Sequence, residues 1–394
     1  MIAVDEVLTR GVANIIPGQK ELKIALNTGQ KLNVYFGIDP TSTRIHLGHT
    51  VPLRKLQQFA DLGHNVTFLI GDFTALIGDT SDKDTERPAL TSVEIEENFR
   101  TYKKQAEKIL DFSKIRIRYN SEWLKKLTFE DVVRLTQEFS LGDFISRELI
   151  KKRLGEGKRI GLHETLYPIM QGYDSYMMDT DLQIGGTDQT FNMQAGRTLQ
   201  KTRRAKESYI LTTPILEGAD GRKMSKSWGN AIWLDDKPRE MYAKVMAVDD
   251  VLITVYFRLA TNLALKEVAE IEDELRNGAH PMEIKKHLAD AIVSELCGAE
   301  AANDAAKAFQ SIVQRGEAPE DIPTRIYPET SPLSLLALLT DASLVESRSE
   351  ARRLIEQGGV RVDGRQVRDA DYPIPKETDH IVQIGKTRYY RFHT

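Results

Sequence analysis

Cysteine is nearly missing: Cys297 is the one such residue in 394. An internal disulfide and a cysteine-rich zinc site are therefore excluded. No stretch approaches the roughly 20 apolar residues that span a bilayer. The opening residues, MIAVDEVLTRG, carry no basic segment followed by an apolar core, so no secretory leader is expected. Neither charge dominates: 54 Lys and Arg face 58 Asp and Glu, a formal net of -4. That balance argues against wholesale electrostatic binding of nucleic acid, but leaves room for a local basic face. Internal repeats and low-complexity tracts are also missing. What is present, 41% hydrophobic and 28% charged residues, is the make-up of a globular chain long enough for two or three domains. A soluble, cytoplasmic protein of a reducing compartment, with no membrane segment, is expected.

The first two-thirds alternate short apolar runs with longer helical patterns. Residues 32–38 (LNVYFGI) and 66–70 (VTFLI) predict buried strands, and 115–119, 182–184 and 209–212 are weaker candidates. Between the first two, Leu47, Val51, Leu56 and Phe59 recur at helical spacing from 46 to about 63. Strands separated by helices argue for a parallel α/β sheet, whose ligands gather at the carboxyl ends of the strands. From about 238 to 315 the pattern is helical, with a break at 278–281. Residues 315–332 then hold Pro319, Pro323, Pro328 and Pro332, four of the 14 prolines, and predict an exposed tether. The last residues, 331–394, carry 10 Lys or Arg against 9 Asp or Glu, a net of +1 in a chain of net -4. Six of those arginines, Arg348, Arg352, Arg353, Arg361, Arg365 and Arg368, fall within 21 residues.

Two motifs carry chemistry. Residues 37–49, GIDPTSTRIHLGH, straddle a strand end and a helix start. Asp39 and Thr41 are placed to cap backbone groups there, and Gly48 leaves room for a flat ring against the backbone. His46 and His49, three apart, can donate to phosphate oxygens where the helix N-terminus also favours an anion. A structural cap with incidental histidines is the plain alternative. Residues 218–230, GADGRKMSKSWGN, put Lys223 and Lys226 among small residues, as in a mobile basic loop closing over a triphosphate; a solvated loop is the plain alternative.

HLGH and KMSKS together resemble the signature pair of the class I aminoacyl-tRNA synthetases. The resemblance implies a Rossmann-like parallel-sheet catalytic domain, followed by an α-helical domain and a small α+β S4 RNA-binding domain. It also implies the reaction: an amino acid and ATP form an aminoacyl-adenylate, and the amino acid passes to the 3′ end of tRNA. Such chemistry needs positioning and charge stabilisation more than covalent help. Within the class, YFGIDPT, YPIMQGYD and LQIGGTDQ are similar to the tyrosyl-tRNA synthetase family. On that likeness Tyr35 and Asp174 bind the phenolic hydroxyl, and Asp79, Tyr167, Gln171 and Gln189 surround the amino and backbone side of tyrosine. Asp39, Gly48, Gly186 and Asp188 are implied for ATP, with Asp188 on the ribose. His46, His49, Thr41, Lys223 and Lys226 are implied at the phosphates, joined by Lys83 and Arg87 from the segment 71–88. Telling tyrosine from phenylalanine requires a pocket whose polar groups stay unpaired when the hydroxyl is missing, a rule for which this synthetase family is itself the standard illustration.

The tail segment 347–364, SRSEARRLIEQGGVRVDG, resembles an S4 domain, so Arg348, Arg352, Arg353 and Arg361 are expected on RNA phosphates. Basic stretches at 151–153 and 197–206 are candidates for the acceptor stem, or ordinary exposed helices. The implied domains are 1–228 (catalytic, with an insertion at about 121–163 as dimer interface), 229–314 (helical), 315–332 (linker) and 333–394 (S4). The implied partners are tRNA(Tyr), L-tyrosine, ATP and a second copy of the chain, with Mg²⁺ carried by the phosphates and no dedicated metal site. The alternatives are a tryptophanyl-tRNA synthetase, an HxGH nucleotidyltransferase and an RNA-binding protein built on a synthetase body.

Overall fold

A computed structural model describes residues 3–78, 91–224, 228–311, 324–326, 334–345, 347–375, 378–385 and 388–393. They form two compact units, Met1–Lys237 with Lys244–Leu296, and Pro238–Ala243 with Cys297–Thr394.

The first unit is built on a six-stranded sheet. Its strands are β1 (Asn14–Ile16), β2 (Asn33–Ile38), β3 (Asn65–Ile70), β4 (Ile115–Tyr119), β5 (Leu182–Gly186) and β6 (Tyr209–Thr213), in the order β1-β6-β5-β2-β3-β4. The neighbours from β6 to β4 run parallel, as the alternating pattern requires. β1 is the exception: three residues, Asn-Ile-Ile, pair antiparallel with β6 at the edge. Three residues are too few to show a period in the sequence. The order reverses between β2 and β5, because the chain lays down β3 and β4 on one side of β2 before crossing to the other. In an open parallel sheet, the crevice at such a reversal is where ligands sit.

Helix Leu47–Asp61 follows β2 and packs Leu47, Leu53, Leu56 and Phe59 inward, all fully buried. The same helix ties the later helices to this unit. Arg54 donates to Asn262 Oδ1 at 2.7 Å and to the Ala260 carbonyl at 2.9 Å, and pairs with Glu295. Arg10 donates to the carbonyls of Arg258, Thr261 and Leu263 around the end of helix Ile253–Ala260. Helix ends expose unpaired carbonyls, and a guanidinium satisfies several at once. Helices Ile253–Ala260 and Leu265–Arg276, and Pro281–Cys297 up to Leu296, accordingly belong with the sheet.

Between β4 and β5 lie the short helices Ser121–Leu124, Phe129–Thr136, Leu141–Ile145 and Glu148–Gly155, then the long helix Leu162–Met177. Thr128 and Asp131 cap the second reciprocally. Arg153 is no basic surface residue: it is 2% exposed and makes a two-pronged pair with Glu164 at 2.7 and 3.1 Å. The basic stretch 197–206 is similarly occupied. Arg197 holds the Ser208 carbonyl, Arg203 pairs with Glu138, and Lys206 bridges Asp179 and Asp181. These contacts lie within their own unit, while Lys151, Lys152 and Lys201 remain exposed.

The second unit contains a five-stranded sheet of β7 (Thr324–Ile326), β8 (Val360–Val362), β9 (Arg365–Val367), β10 (His380–Ile384) and β11 (Arg388–His393), in the order β7-β11-β10-β8-β9. β7 lies inside the expected tether. Its three residues pair parallel with β11, using an edge that would otherwise stay open. The rest of 315–332 lies outside the described residues. Helices Leu335–Asp341 and Arg348–Glu356, capped by Ser334 and Ser347, bury Leu335, Leu339, Ala351 and Ile355 with Val360, Val382 and Phe392. Arg348 and Arg352 of the same helix are exposed, although they fall close to the face that carries the buried Ala351 and Ile355. Arg353, Arg361, Arg365 and Arg368 are exposed as well. Of these six arginines, only Arg352 makes an ion pair among the described residues, with Glu356 at 3.8 Å.

Candidate active site

The site gathers at the reversal between β2 and β5. Tyr35 of β2 and Gln183 of β5 are register partners, and the Tyr35 hydroxyl donates to Gln183 Oε1 at 3.1 Å. Gln183 in turn donates to the Met193 carbonyl at 2.9 Å, so its orientation is fixed. Tyr35 is 3% exposed. Burial, then the charge of Asp174, hold its phenol well above the ordinary range.

Asp174 comes from helix Leu162–Met177 and is likewise 3% exposed. Its oxygens accept from Trp123 Nε1 at 2.7 Å and Asn120 Nδ2 at 3.1 Å. Both partners are donors, which favours the carboxylate. Burial works against it, aided by Asp39 and Asp72, and lifts the group to about 8. Tyr35 and Asp174, expected as a pair on one hydroxyl, thus have separate protein partners and meet through their fields. Asn120 extends the network: Nδ2 also donates to Thr74 Oγ1 at 2.9 Å, and Thr74 donates to Asp39 Oδ1 at 2.7 Å. The other Asp39 oxygen accepts from the Tyr167 hydroxyl at 2.8 Å. In the turn after β2, the Thr41 N–H donates to the Asp39 carbonyl at 2.8 Å. Gly71 is what lets Asp39 and Thr74 meet, since a Cβ there would lie 2.0 Å from Asp39 Oδ1. Gln171 sits half-buried on the same helix as Tyr167 and Asp174.

The nucleotide motifs assemble beside this network. His46 is the residue before helix Leu47–Asp61 and His49 lies in its first turn. Their rings stand 3.8 Å apart, and the His46 N–H donates to His49 Nδ1 at 3.3 Å. Burial, then His49 and the charge of Lys223, lower His46 to about 2. Burial lowers His49 to about 4, with Lys223 adding to it and a backbone hydrogen bond opposing. Both rings are held neutral near pH 7, and because His49 Nδ1 accepts a hydrogen bond, the proton of that ring sits on Nε2. Gly48 lies against them: a Cβ there would come within 3.0 Å of the His46 ring.

Beyond β5, a Cβ on Gly186 would meet Asp188 Oδ1 at 2.4 Å. Asp188 pairs with Lys223 at 3.4 Å, and Gln189 accepts from Asn192 at 3.0 Å. One of the two signature lysines therefore already stands over the loop after β5. Asp79, Lys83, Arg87 and Lys226 lie outside the described residues.

Four residues of this site receive no role from the sequence motifs: Asn120, Trp123, Thr74 and Gln183. The usable signal was position. Asn120 and Trp123 come directly after β4 and Thr74 shortly after β3, at the carboxyl ends where parallel sheets bind ligands.

A mostly parallel sheet with its polar groups at the strand reversal, and the HxGH histidines beside Lys223 there, is the arrangement of a nucleotide-binding site. The family model for class I tRNA synthetases (W and Y) matches residues 27–314, and that for the S4 domain matches 334–381. The chain belongs to the class I tRNA synthetases. Among curated relatives, the tyrosine–tRNA ligase of Desulfotalea psychrophila is 42% identical over 391 residues, covering 98% of this chain and 96% of its own. That of Moorella thermoacetica is 43% identical over 393 residues, covering 98% and 95%. Among solved structures, tyrosyl-tRNA synthetase complexed with L-tyrosine from Archaeoglobus fulgidus gives a TM-score of 0.59 at 25% identity, covering 76% of this chain and 98% of that one. A C-terminally truncated mitochondrial tyrosyl-tRNA synthetase of Aspergillus nidulans gives 0.66 at 23%, covering 78% and 93%, and supports the fold.

Proposed function

We propose that this chain is a tyrosine–tRNA ligase. It joins L-tyrosine and ATP to tyrosyl-adenylate and pyrophosphate, then transfers the tyrosyl group to the 3′ end of tRNA(Tyr). The observation that carries the amino-acid choice is the buried pair Tyr35 and Asp174, whose oxygens suit one phenolic hydroxyl and gain no partner from phenylalanine. In this assignment the phenol donates to Asp174, and Tyr35 turns from Gln183 toward it. Tyr167, Gln171, Gln189 and Asp79 line the amino and backbone side of tyrosine. The tyrosine carboxylate attacks the α-phosphorus of ATP, the bond to the bridging oxygen breaks, and pyrophosphate leaves with that electron pair. His46 and His49 donate N–H groups to the phosphates; Lys223, Lys226, Lys83 and Arg87 offset the charge developing on pyrophosphate. Asp39, Gly48, Gly186 and Asp188 hold the nucleotide, Asp188 through the ribose, and Thr41 stands with the histidines at the phosphates. A ribose hydroxyl of tRNA then attacks the tyrosyl carbonyl and AMP departs.

Among the described residues no three His, Cys, Asp or Glu side chains gather as a metal site. Mg²⁺ would travel with the triphosphate. Arg348, Arg352, Arg353 and Arg361 are assigned to RNA phosphates. The insertion 121–163 is assigned to a homodimer interface; Phe129, Leu141, Leu154 and Leu162, exposed by 85, 64, 51 and 78%, support that. The domain division 1–228, 229–314, 315–332 and 333–394 is proposed as a division along the sequence; by packing, Lys244–Leu296 groups with the sheet, and β7 stands within 315–332. A cytoplasmic location belongs to the same proposal; among the described residues no helix is long and apolar enough to cross a membrane. Charging of unfractionated bacterial tRNA with labelled amino acids tests the proposal. Acceptance of tyrosine is expected; acceptance of tryptophan instead, or of neither, would overturn it.

A further inference from the structure

One side chain outside the reacting groups joins the two nucleotide motifs. Arg44 stands just before His46. Its Nε donates to Asp235 Oδ1 at 2.7 Å and its Nη2 to Asp236 Oδ1 at 2.8 Å. Its guanidinium carbon lies 4.7 Å from the Trp233 ring centroid. The Asp236 side chain, 1% exposed, is itself fixed by the Trp233 N–H at 2.9 Å and Lys244 Nζ at 2.8 Å. Trp233 stands edge-on to His46 at 5.7 Å and forms an antiparallel bridge with it. Around that bridge, the Leu47 N–H donates to the Ile232 carbonyl and the Leu234 N–H to the Ile45 carbonyl, each at 2.9 Å.

The stretch from Asn230 to Asp236 is the return limb of the loop that carries Lys223. Asn230 Nδ2 reaches back to Asp220 Oδ1 at 2.8 Å and to the Lys223 carbonyl at 3.2 Å. Arg44 thus grips the limb on which the Lys223 loop is hung, while its own backbone runs straight into His46 and His49.

We propose that Arg44 is a positioning residue for nucleotide activation, holding the return limb of the Lys223 loop in register with the His46–His49 turn so that both motifs address one triphosphate. It touches no substrate itself. The role needs arginine: a planar fork serves two carboxylates and stacks on an indole together, which an ammonium cannot do. A small misplacement of charge-stabilising groups is costly, about 100-fold for roughly 1 Å.

The inference rests on the function proposed above, so its test has an arm that does not. Full-length wild type, Arg44→Met, Arg44→Lys and Asp235→Asn are compared. In ATP–pyrophosphate exchange with tyrosine, Arg44→Met should lose about tenfold in kcat/KM for ATP with KM for tyrosine unchanged, and Arg44→Lys should recover only part. Independently of catalysis, amide hydrogen exchange at Leu47 and Leu234 should quicken in Arg44→Met. Asp235→Asn, a milder change at a half-exposed carboxylate, should shift both readouts the same way by less. Equal losses toward tyrosine and ATP, unchanged exchange kinetics beside faster amides, or full rescue by lysine would each overturn the inference. A wild-type chain that activates no tyrosine would overturn the function, while slow wild-type and fast Arg44→Met amides would still uphold the clamp.

Discussion

Asp174 is 3% exposed with an indole and an amide donor on its oxygens, whereas Arg348 and Arg353 stand exposed with no carboxylate in ion-pair range among the described residues. The pocket surrounds its polar groups with oriented partners and excludes water. The tail leaves its charges solvated and available. Discrimination between two amino acids differing by one hydroxyl calls for the first arrangement, because a missing partner inside a dry pocket is expensive. Gripping a polyanion calls for the second, because phosphates are many and the gain comes from releasing counterions. The first unit shows why exposure matters: Arg153 and Lys206 are as basic as the tail arginines, yet their ion pairs with Glu164, Asp179 and Asp181 occupy them.

The contrast breaks most sharply at Asp174. Asp174→Asn should lower kcat/KM for tyrosine in pyrophosphate exchange by about 1,000-fold, with ATP affinity, read by direct titration, nearly unchanged. At the tail, Arg348→Glu, Arg352→Glu and Arg353→Glu combined should raise KM for tRNA by about 10–100-fold and flatten its salt dependence, while pyrophosphate exchange stays at the wild-type rate. Trp123→Phe keeps an aromatic ring and removes one donor from Asp174; a loss of about tenfold toward tyrosine is expected, from paired exchange assays.

The smallest effect is on stability. The folded Asp174 carboxyl, lifted to about 8 from its ordinary 3.8, retains a proton that the unfolded chain releases. Its contribution therefore falls as pH rises from about 4 to about 8. Depressed His46 and His49 act in the opposite direction at acid pH, and equally in wild type and variant. Urea midpoints at pH 5 and pH 8 should show Asp174→Asn losing less stability than wild type over that interval.

Much of this was legible in the sequence, for identifiable reasons. The central strands announced themselves as β-branched apolar runs, and helix Leu47–Asp61 by its spacing and the polar turn before it. Motifs named His46, His49, Lys223 and Asp188, which the fold brings together by joining loops after β2, β5 and β6. What stayed hidden was set by pairing between distant segments. Asn120 reaches Asp174, 54 residues away, and Tyr35 reaches Gln183 across 148. No local pattern encodes such partners. β1 and β7 were hidden for the same reason: three residues become a strand only when a neighbouring edge is there to receive them.

Whether a buried carboxylate reads one hydroxyl is decided by the ratio of kcat/KM for tyrosine over phenylalanine in ATP–pyrophosphate exchange, wild type beside Asp174→Asn. The pocket geometry calls for a wild-type ratio of about 10,000 or more, the range its synthetase family already illustrates, collapsing by at least about 100-fold in the variant. A ratio that Asp174→Asn leaves intact would refute this reading of the pocket.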